Sequence, residues 1–323
     1  MNVFRVLGLL SLLTFALRGE DAPVTMSTHV YKRVDGRELQ VDVFQPAKGT
    51  VDAARPAIAF FHGGGWVFGN RNEFYGACRR YAARGFVAAT FQYRLSVNAD
   101  GTYPNPDVTL VECVKDARSA IRWLRAHAGE FAIASDRIVA SGQSAGGQLA
   151  WATALLDQLN ETTDDLAVSA RPDALVLYSS NYNTMEAWID MIFGLRRAEI
   201  WSVSPHHNLK PGLPPALAFH GRADTTVMYY IVDMFAAQMR KLGNPFELVT
   251  LPGRNHYLGE GHPEYARYFD EEILEQTDGF LRRIGFMPAT PERPTATQSV
   301  PTLLGPAETG FRSFHVSRSP TQR

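Results

Sequence analysis

The stretch RIVASGQSAGGQLA, residues 137–150, constrains the fold more than any other part of the chain. It runs from an apolar segment through a turn in which Gly142, Ser144 and Gly146 form a GxSxG pattern, and then into what reads as a helix. A strand that turns directly into a helix needs a tight corner, with its central residue in a strained backbone conformation. Small neighbours are required because the chain passes close to both elements, and a side chain at Gly142 or Gly146 would collide with them. The strain projects the Ser144 hydroxyl out of the sheet, and the N-terminus of the following helix favours negative charge beside it. A serine held this way reads as a functional group more readily than as part of a structural Gly-rich turn.

The rest of the chain supplies a frame for that corner. Strand-like runs are STHVYKRV, LQVDVFQP, AIAFFHG, GFVAATFQYRL, RIVASG, ALVLYSS, PALAFHG and FELVTLPG. Several are near-continuously apolar, as expected of strands covered on both faces. Helical segments fall at about 72–84, 107–128, 144–158, 226–243 and 263–284. An antiparallel start followed by alternating strands and helices predicts an α/β fold, a mostly parallel sheet with helices on both faces. With 323 residues, 45% of them hydrophobic, the chain can bury one large α/β domain or two modest ones. No internal repeat or linker-like break interrupts residues 27–286, so one domain is expected there. A formal net charge of -1 gives no basic footprint for nucleic acid and no polybasic membrane patch, which leaves a small molecule or an uncharged polymer as the expected partner.

A serine hydroxyl becomes a nucleophile only when a base accepts its proton and the resulting oxyanion is stabilised. The second requirement points to FFHGGGWVFGN, residues 60–70, where an apolar strand ends in His62 and three glycines follow. Consecutive glycines let backbone N–H groups face a cavity without side-chain obstruction. Gly64 and Gly65, with the N–H of Ala145 after the serine, are the expected oxyanion donors, and His62 is expected to order the loop. For the base, the order Ser, then Asp, then His is met by Asp224 just beyond the strand PALAFHG and by His256 in a Gly-flanked loop after the next strand. Both positions follow the C-terminal ends of strands, where parallel sheets carry their functional groups. Asp224 would orient the imidazole of His256 so that it accepts the Ser144 proton. Among competing residues, Asp233 and Asp270 read as helix-surface groups, His220 as locally packed or hydrogen-bonded, and His262 as solvent-facing. His206 and His207 are adjacent, so their side chains diverge, and no HExxH or CxxC spacing is present, so no metal site is expected.

Taken together, HGGGW, YRLS, CVKDARSAIRWLRAHAGEFAIASDRI leading into GQSAGGQLA, and GLPPALAFHGRADTTV followed by GRNHY resemble α/β-hydrolase esterases. The groups in question are the hormone-sensitive-lipase-like and the bacterial feruloyl/acetyl-esterase-like ones, and the resemblance covers about residues 30–284. It implies the eight-stranded α/β-hydrolase fold and carboxylic ester hydrolysis without a cofactor. Ser144, Asp224 and His256 match the triad of these families, and Gly64, Gly65 and Ala145 their oxyanion donors. The hormone-sensitive-lipase group usually carries an acidic residue before the serine, where this chain has Gln143. The setting of the aspartate in HGRADTTV is closer to the feruloyl/acetyl-esterase and peptidase side, which favours a small acyl or carbohydrate-linked ester over a long-chain lipid.

Substrate-contacting candidates are Gln143, Trp66 beside the oxyanion loop, and Tyr182 and Trp188 from an insert at 181–213. That insert would either cap Ser144 with aromatic groups or pack its own core on the sheet. Trp66 could equally brace the loop.

The two ends differ from the middle. One arginine, an apolar run from Val6 to Leu17 and a polar stretch have the layout of a signal peptide over residues 1–19, predicting export; the run is too short for the roughly 20 residues of a membrane span. The Pro-, Ser- and Thr-rich residues 288–323 read as a disordered tail. The two cysteines, Cys78 and Cys113, fall in helices expected on opposite faces of the sheet, too far apart for a disulfide, so both are expected free and buried. Besides the esterase, a peptidase or amidase on the same triad and a catalytically silent binding protein are the alternative readings.

Overall fold

The computed structural model describes residues 23–47, 54–259 and 269–288. The signal peptide read at 1–19, the tail beyond residue 288 and His262 lie outside the described residues.

Two strands open the fold, β1 (Val24–Val34) and β2 (Arg37–Pro46). Asp35 and Gly36 join them, with φ of 50° and 69°, the left-handed pair that a tight hairpin needs and that Asp-Gly adopts readily. There follow β3 (Arg55–Phe61), α1 (Tyr75–Ala83), β4 (Val87–Phe91), α2 (Leu110–Ala126), α3 (Ala128–Phe131), β5 (Ile133–Gln143) and α4 (Ala145–Leu155). The chain continues through β6 (Ala174–Tyr178), α5 (Ala187–Phe193), β7 (Ala216–Gly221), α6 (Tyr229–Lys241), β8 (Phe246–Leu251) and α7 (Glu271–Arg283). All eight expected strands join one sheet in the order β1-β2-β4-β3-β5-β6-β7-β8. Only the β1/β2 and β2/β4 pairs are antiparallel; the remaining pairs are parallel. This is the α/β-hydrolase architecture that the sequence motifs imply.

Alternation along the strands divides the interior into two layers. In β3, Ala57, Ala59 and Phe61 point to the layer shared with α2, α4 and α6, while Ile58 and Phe60 point to the layer shared with α1 and α7. Burying side chains such as Phe60 and Phe61 completely stabilises the fold by roughly 1.5–3 kcal/mol each. Cys113 belongs to the first layer and Cys78 to the second, and both are buried free thiols on opposite faces of the sheet. Helix ends follow local chemistry: Thr109 and Glu112 form a capping box at the start of α2, and the Asp270 carboxylate accepts the Ile273 N–H at 3.0 Å at the start of α7. Asp270 is thus a helix cap and not merely a surface group.

Within residues 181–213, Ile189, Ile192, Phe193, Ile200 and Val203 join the α2/α4 layer. Arg196 pairs with Glu112 of α2 at 2.8 Å, and the Gln148 side chain of α4 donates to the Val203 carbonyl at 2.8 Å. The insert therefore packs a core of its own onto the sheet layer while leaving Trp188, Met191 and Trp201 exposed.

Candidate active site

The C-terminal ends of β3, β5, β7 and β8 converge, and each delivers one part of the site. Ser144 separates β5 from α4 and has φ 54° and ψ −119°, a conformation that residues with side chains rarely adopt. Three hydrogen bonds fix it: its N–H donates to the Tyr178 carbonyl, and its own carbonyl accepts from the Gln148 and Asn181 N–H groups, all at 3.1 Å. The flanking glycines are required by contact. A Cβ on Gly142 would stand 2.4 Å from the Gly146 carbonyl, and one on Gly146 would stand 2.0 Å from the carbonyl oxygen of Phe61. The corner is thereby pressed against the end of β3.

From β3 the chain enters the glycine loop through Gly64 and Gly65, both left-handed, with φ of 106° and 60°; Trp66 shares that region at 61°. Among the described residues, the N–H groups of Gly64, Gly65 and Ala145 donate to no protein acceptor. Ala145 is the first residue of α4, where helical geometry leaves N–H groups unpaired. His62 orders the loop: its Nδ1 bonds the Gly63 carbonyl at 2.8 Å and its ring stacks on Tyr93, whose hydroxyl donates to the His62 carbonyl at 2.9 Å. Burial pushes the His62 imidazole down to about 4, so it stays neutral and cannot serve as a charged group near pH 7.

Asp224 and His256 meet behind the serine. The Asp224 carboxylate receives the Thr226 and Val227 N–H groups on Oδ1 at 2.8 and 2.9 Å, and His256 Nδ1 on Oδ2 at 2.8 Å. His220 adds a second imidazole 3.3 Å from Oδ2, its Nε2 also bonding the Val227 carbonyl. Burial pushes the Asp224 carboxyl up, but the hydrogen bond and charge of His256 and the Val227 N–H outweigh it and hold the group below the usual carboxylate range. Gly221 lets the His256 loop cross the end of β7, since a Cβ there would stand 2.2 Å from the Arg254 carbonyl oxygen.

A family profile, BD-FAE, matches residues 41–239, more than half of the chain, and the match spans both the glycine loop and the Ser144 corner. The chain belongs to the BD-FAE family. Esterase 2 of Thermogutta terrifontis, in its apo form, is similar to this BD-FAE protein at 36% identity with a TM-score of 0.72, covering 82% of this chain and 96% of that one. The propionate-bound form of the same esterase superposes with a TM-score of 0.72 at 35% identity. Among curated proteins, the isoprenylcysteine alpha-carbonyl methylesterase ICME of Arabidopsis thaliana is 26% identical over 240 residues, 67% of this chain and 53% of that protein. The chain spans about half the length of the first curated relatives it matches.

The four substrate-contacting candidates of this BD-FAE protein take different places. Trp188, 38% exposed, stacks on Trp66 and lies 3.6 Å from where a Gly65 Cβ would stand, so it flanks the glycine loop. Trp66 itself is fully buried, donates Nε1–H to Gln148 Oε1 at 3.1 Å, and braces the loop. Tyr182 is also fully buried, against Trp151 and Phe235, and belongs to the core instead of a substrate wall. Gln143 is 1% exposed and its Nε2 stands 3.1 Å from His256 Nε2, so it contacts the imidazole and does not line the cleft. Sequence reasoning could not assign the last two, because their partners come from elsewhere in the chain: Trp151 of α4 and Phe235 of α6 for Tyr182, and His256 of the loop after β8 for Gln143. It also missed Gln148 as a brace, for which nearness to Ser144 in the chain gave the only signal, and Asn181 as a partner of the corner, which comes from the segment after β6 and gave none. Among the described residues no group of His, Cys, Asp and Glu is arranged to hold a metal ion, and no helix is long and apolar enough to cross a membrane.

Proposed function

We propose that this protein is a serine carboxylesterase in which Ser144 is the nucleophile, His256 the base and Asp224 the group that orients the base. The Asp224–His256 contact of 2.8 Å carries the reading: it consumes Nδ1–H and leaves Nε2, on the side of the serine corner, as the lone-pair acceptor. His256 takes the Ser144 proton as Oγ attacks the ester carbonyl. The developing oxyanion is received by the N–H groups of Gly64, Gly65 and Ala145, the imidazolium then protonates the leaving alcohol, and water activated by the same ring releases the acid. Burial of Asp224, at 3% exposure, strengthens its interaction with the imidazolium relative to a solvated pair.

A short acyl chain is supported by the Thermogutta esterase, which has been seen with propionate and with butyrate bound. An aryl or carbohydrate-linked alcohol is supported by exposed aromatic rings tied to the site: Phe68 on the glycine loop, Tyr103 against it, Trp188 over Gly65 and Tyr257 beside His256. The apolar run from Val6 to Leu17 supports a signal peptide and export of the mature enzyme.

The test is hydrolysis of p-nitrophenyl esters from acetate to long acyl chains by the purified protein and by Ser144→Ala. Fast turnover of short chains that falls by several orders of magnitude in the variant is expected. Equal inertness of both proteins across the series would overturn the assignment.

A further inference from the structure

His256 Nε2, the atom that must take the serine proton, is bonded at rest to a different residue. Gln143 Nε2 stands 3.1 Å from it, and among the described residues Ser144 Oγ takes part in no hydrogen bond. The Gln143 carboxamide is enclosed on its other side by the glycine loop, where a Cβ on Gly63 would fall 2.1 Å from Gln143 Oε1. With the oxygen turned to Gly63 and the amide N–H₂ to the imidazole, the carboxamide bridges the oxyanion loop and the base. It is 1% exposed, so neither end has water as an alternative partner.

We infer that Gln143 is a positioning residue: it donates to His256 Nε2 in the resting protein, holds the ring in its acceptor tautomer, and yields that lone pair to Ser144 when substrate occupies the loop. The inference rests on the esterase reading above. Its chemistry is that of one donor and one lone pair. A ring whose Nδ1–H is given to Asp224 can only accept at Nε2, and an amide N–H facing that nitrogen favours the neutral ring, because protonation there would set two donors against each other. The other groups around the ring are Asp224 at Nδ1 and Tyr257 with its ring 5.8 Å away; His220 and Glu186 of the insert bear on it through Asp224, and the Glu186 carboxyl is pushed up by burial and by the charge of Asp224. None of these meets Nε2, so the residue before the serine controls that nitrogen. An acidic residue in its place would reverse the preference and stabilise the protonated ring.

The full chain with Gln143→Met and Gln143→Glu separates positioning from packing. Loss of the donor in Gln143→Met is expected to move the acid limb of kcat/KM up by about 0.5 pH unit, the equivalent of one ordinary hydrogen bond. Gln143→Glu is expected to move it further, by about 1 unit or more, because a carboxylate favours the charged ring. A purely structural residue would lower kcat/KM by one factor at every pH and leave the limb where it was. A second measurement does not depend on those variants folding. The ¹⁵N resonance of His256 Nε2 is expected to be the same in the wild-type protein and in Ser144→Ala, since the serine is not its resting partner. A limb unmoved in both folded variants, or an Nε2 resonance that shifts when the serine hydroxyl is removed, would overturn the inference. If the protein cleaves no ester, the functional reading fails alone, and the His256 Nε2 resonance, expected to be unchanged in Ser144→Ala and to shift in Gln143→Met, still decides the role of Gln143.

Discussion

Gly146 lies so close to Phe61 that a Cβ on the glycine would stand 2.0 Å from the Phe61 carbonyl oxygen. The N-terminus of α4 and the end of β3 thus touch through backbone, and that contact sets how far the serine stands from the glycine loop. Gly146→Ala must push the two apart. Overpacking of this kind typically costs about 3 kcal/mol, so the variant is expected to unfold at clearly lower denaturant than the wild type. An unchanged midpoint in a chemical denaturation series would show that the contact is looser than described.

Ser144 holds φ 54° and ψ −119° for the sake of its hydroxyl, and the fold bears the strain. Ser144→Gly removes the side chain from a conformation that glycine tolerates. It is expected to cleave no ester and yet to be about 1 kcal/mol more stable than the wild type. Equal or lower stability would place the strain elsewhere.

Asp224→Asn keeps the shape of the carboxylate but no longer dictates which imidazole nitrogen carries the proton. By the general behaviour of such triads, kcat is expected to fall about 10⁴-fold with the fold intact. The same group leaves a signature in stability. Its carboxyl titrates below the ordinary 3.8 in the folded protein, so its contribution is present above that value and is lost as pH falls through the lowered folded value. The Asn variant is expected to show a flatter acid arm in stability against pH.

His62 gives a pH dependence of the same sign in a higher pH window. Its imidazole is pushed from 6.5 to about 4 by burial, so the unfolded chain binds a proton in that interval while the folded protein does not. Stability is therefore expected to fall as pH drops from 6.5 toward 4 and to level off below, by about 3 kcal/mol in all. Replacing His62 with Gln is expected to remove that slope. A slope that survives the replacement would assign the effect to another group.

Much of this arrangement was legible from residue order. The central strands were legible because buried parallel strands carry near-continuous apolar runs, whereas the start of α7 was not, since Asp270 reads as a surface group until its carboxylate meets the Ile273 N–H. The Ser144 corner was legible because Gly142 and Gly146 are demanded by local crowding. Asp224 and His256 could be named because each follows the end of a strand in an order this fold reuses. Less was legible in the insert, where short helices with mixed faces carry no clear period, and Tyr182 reads equally as cap or core until Trp151 and Phe235 close over it.

What the sequence determined by itself was the class of fold, the corner and the candidate residues of the site, since each depends on neighbours within a few positions or on chain order. What only the tertiary structure decided is which group meets which atom. Gln143 and His256 lie 113 residues apart, and their 3.1 Å contact exists because β5 and the loop after β8 end at the same edge of one sheet. Whether the residue before the serine faces the substrate or the base depends on the packing of that edge, and no local propensity carries that information.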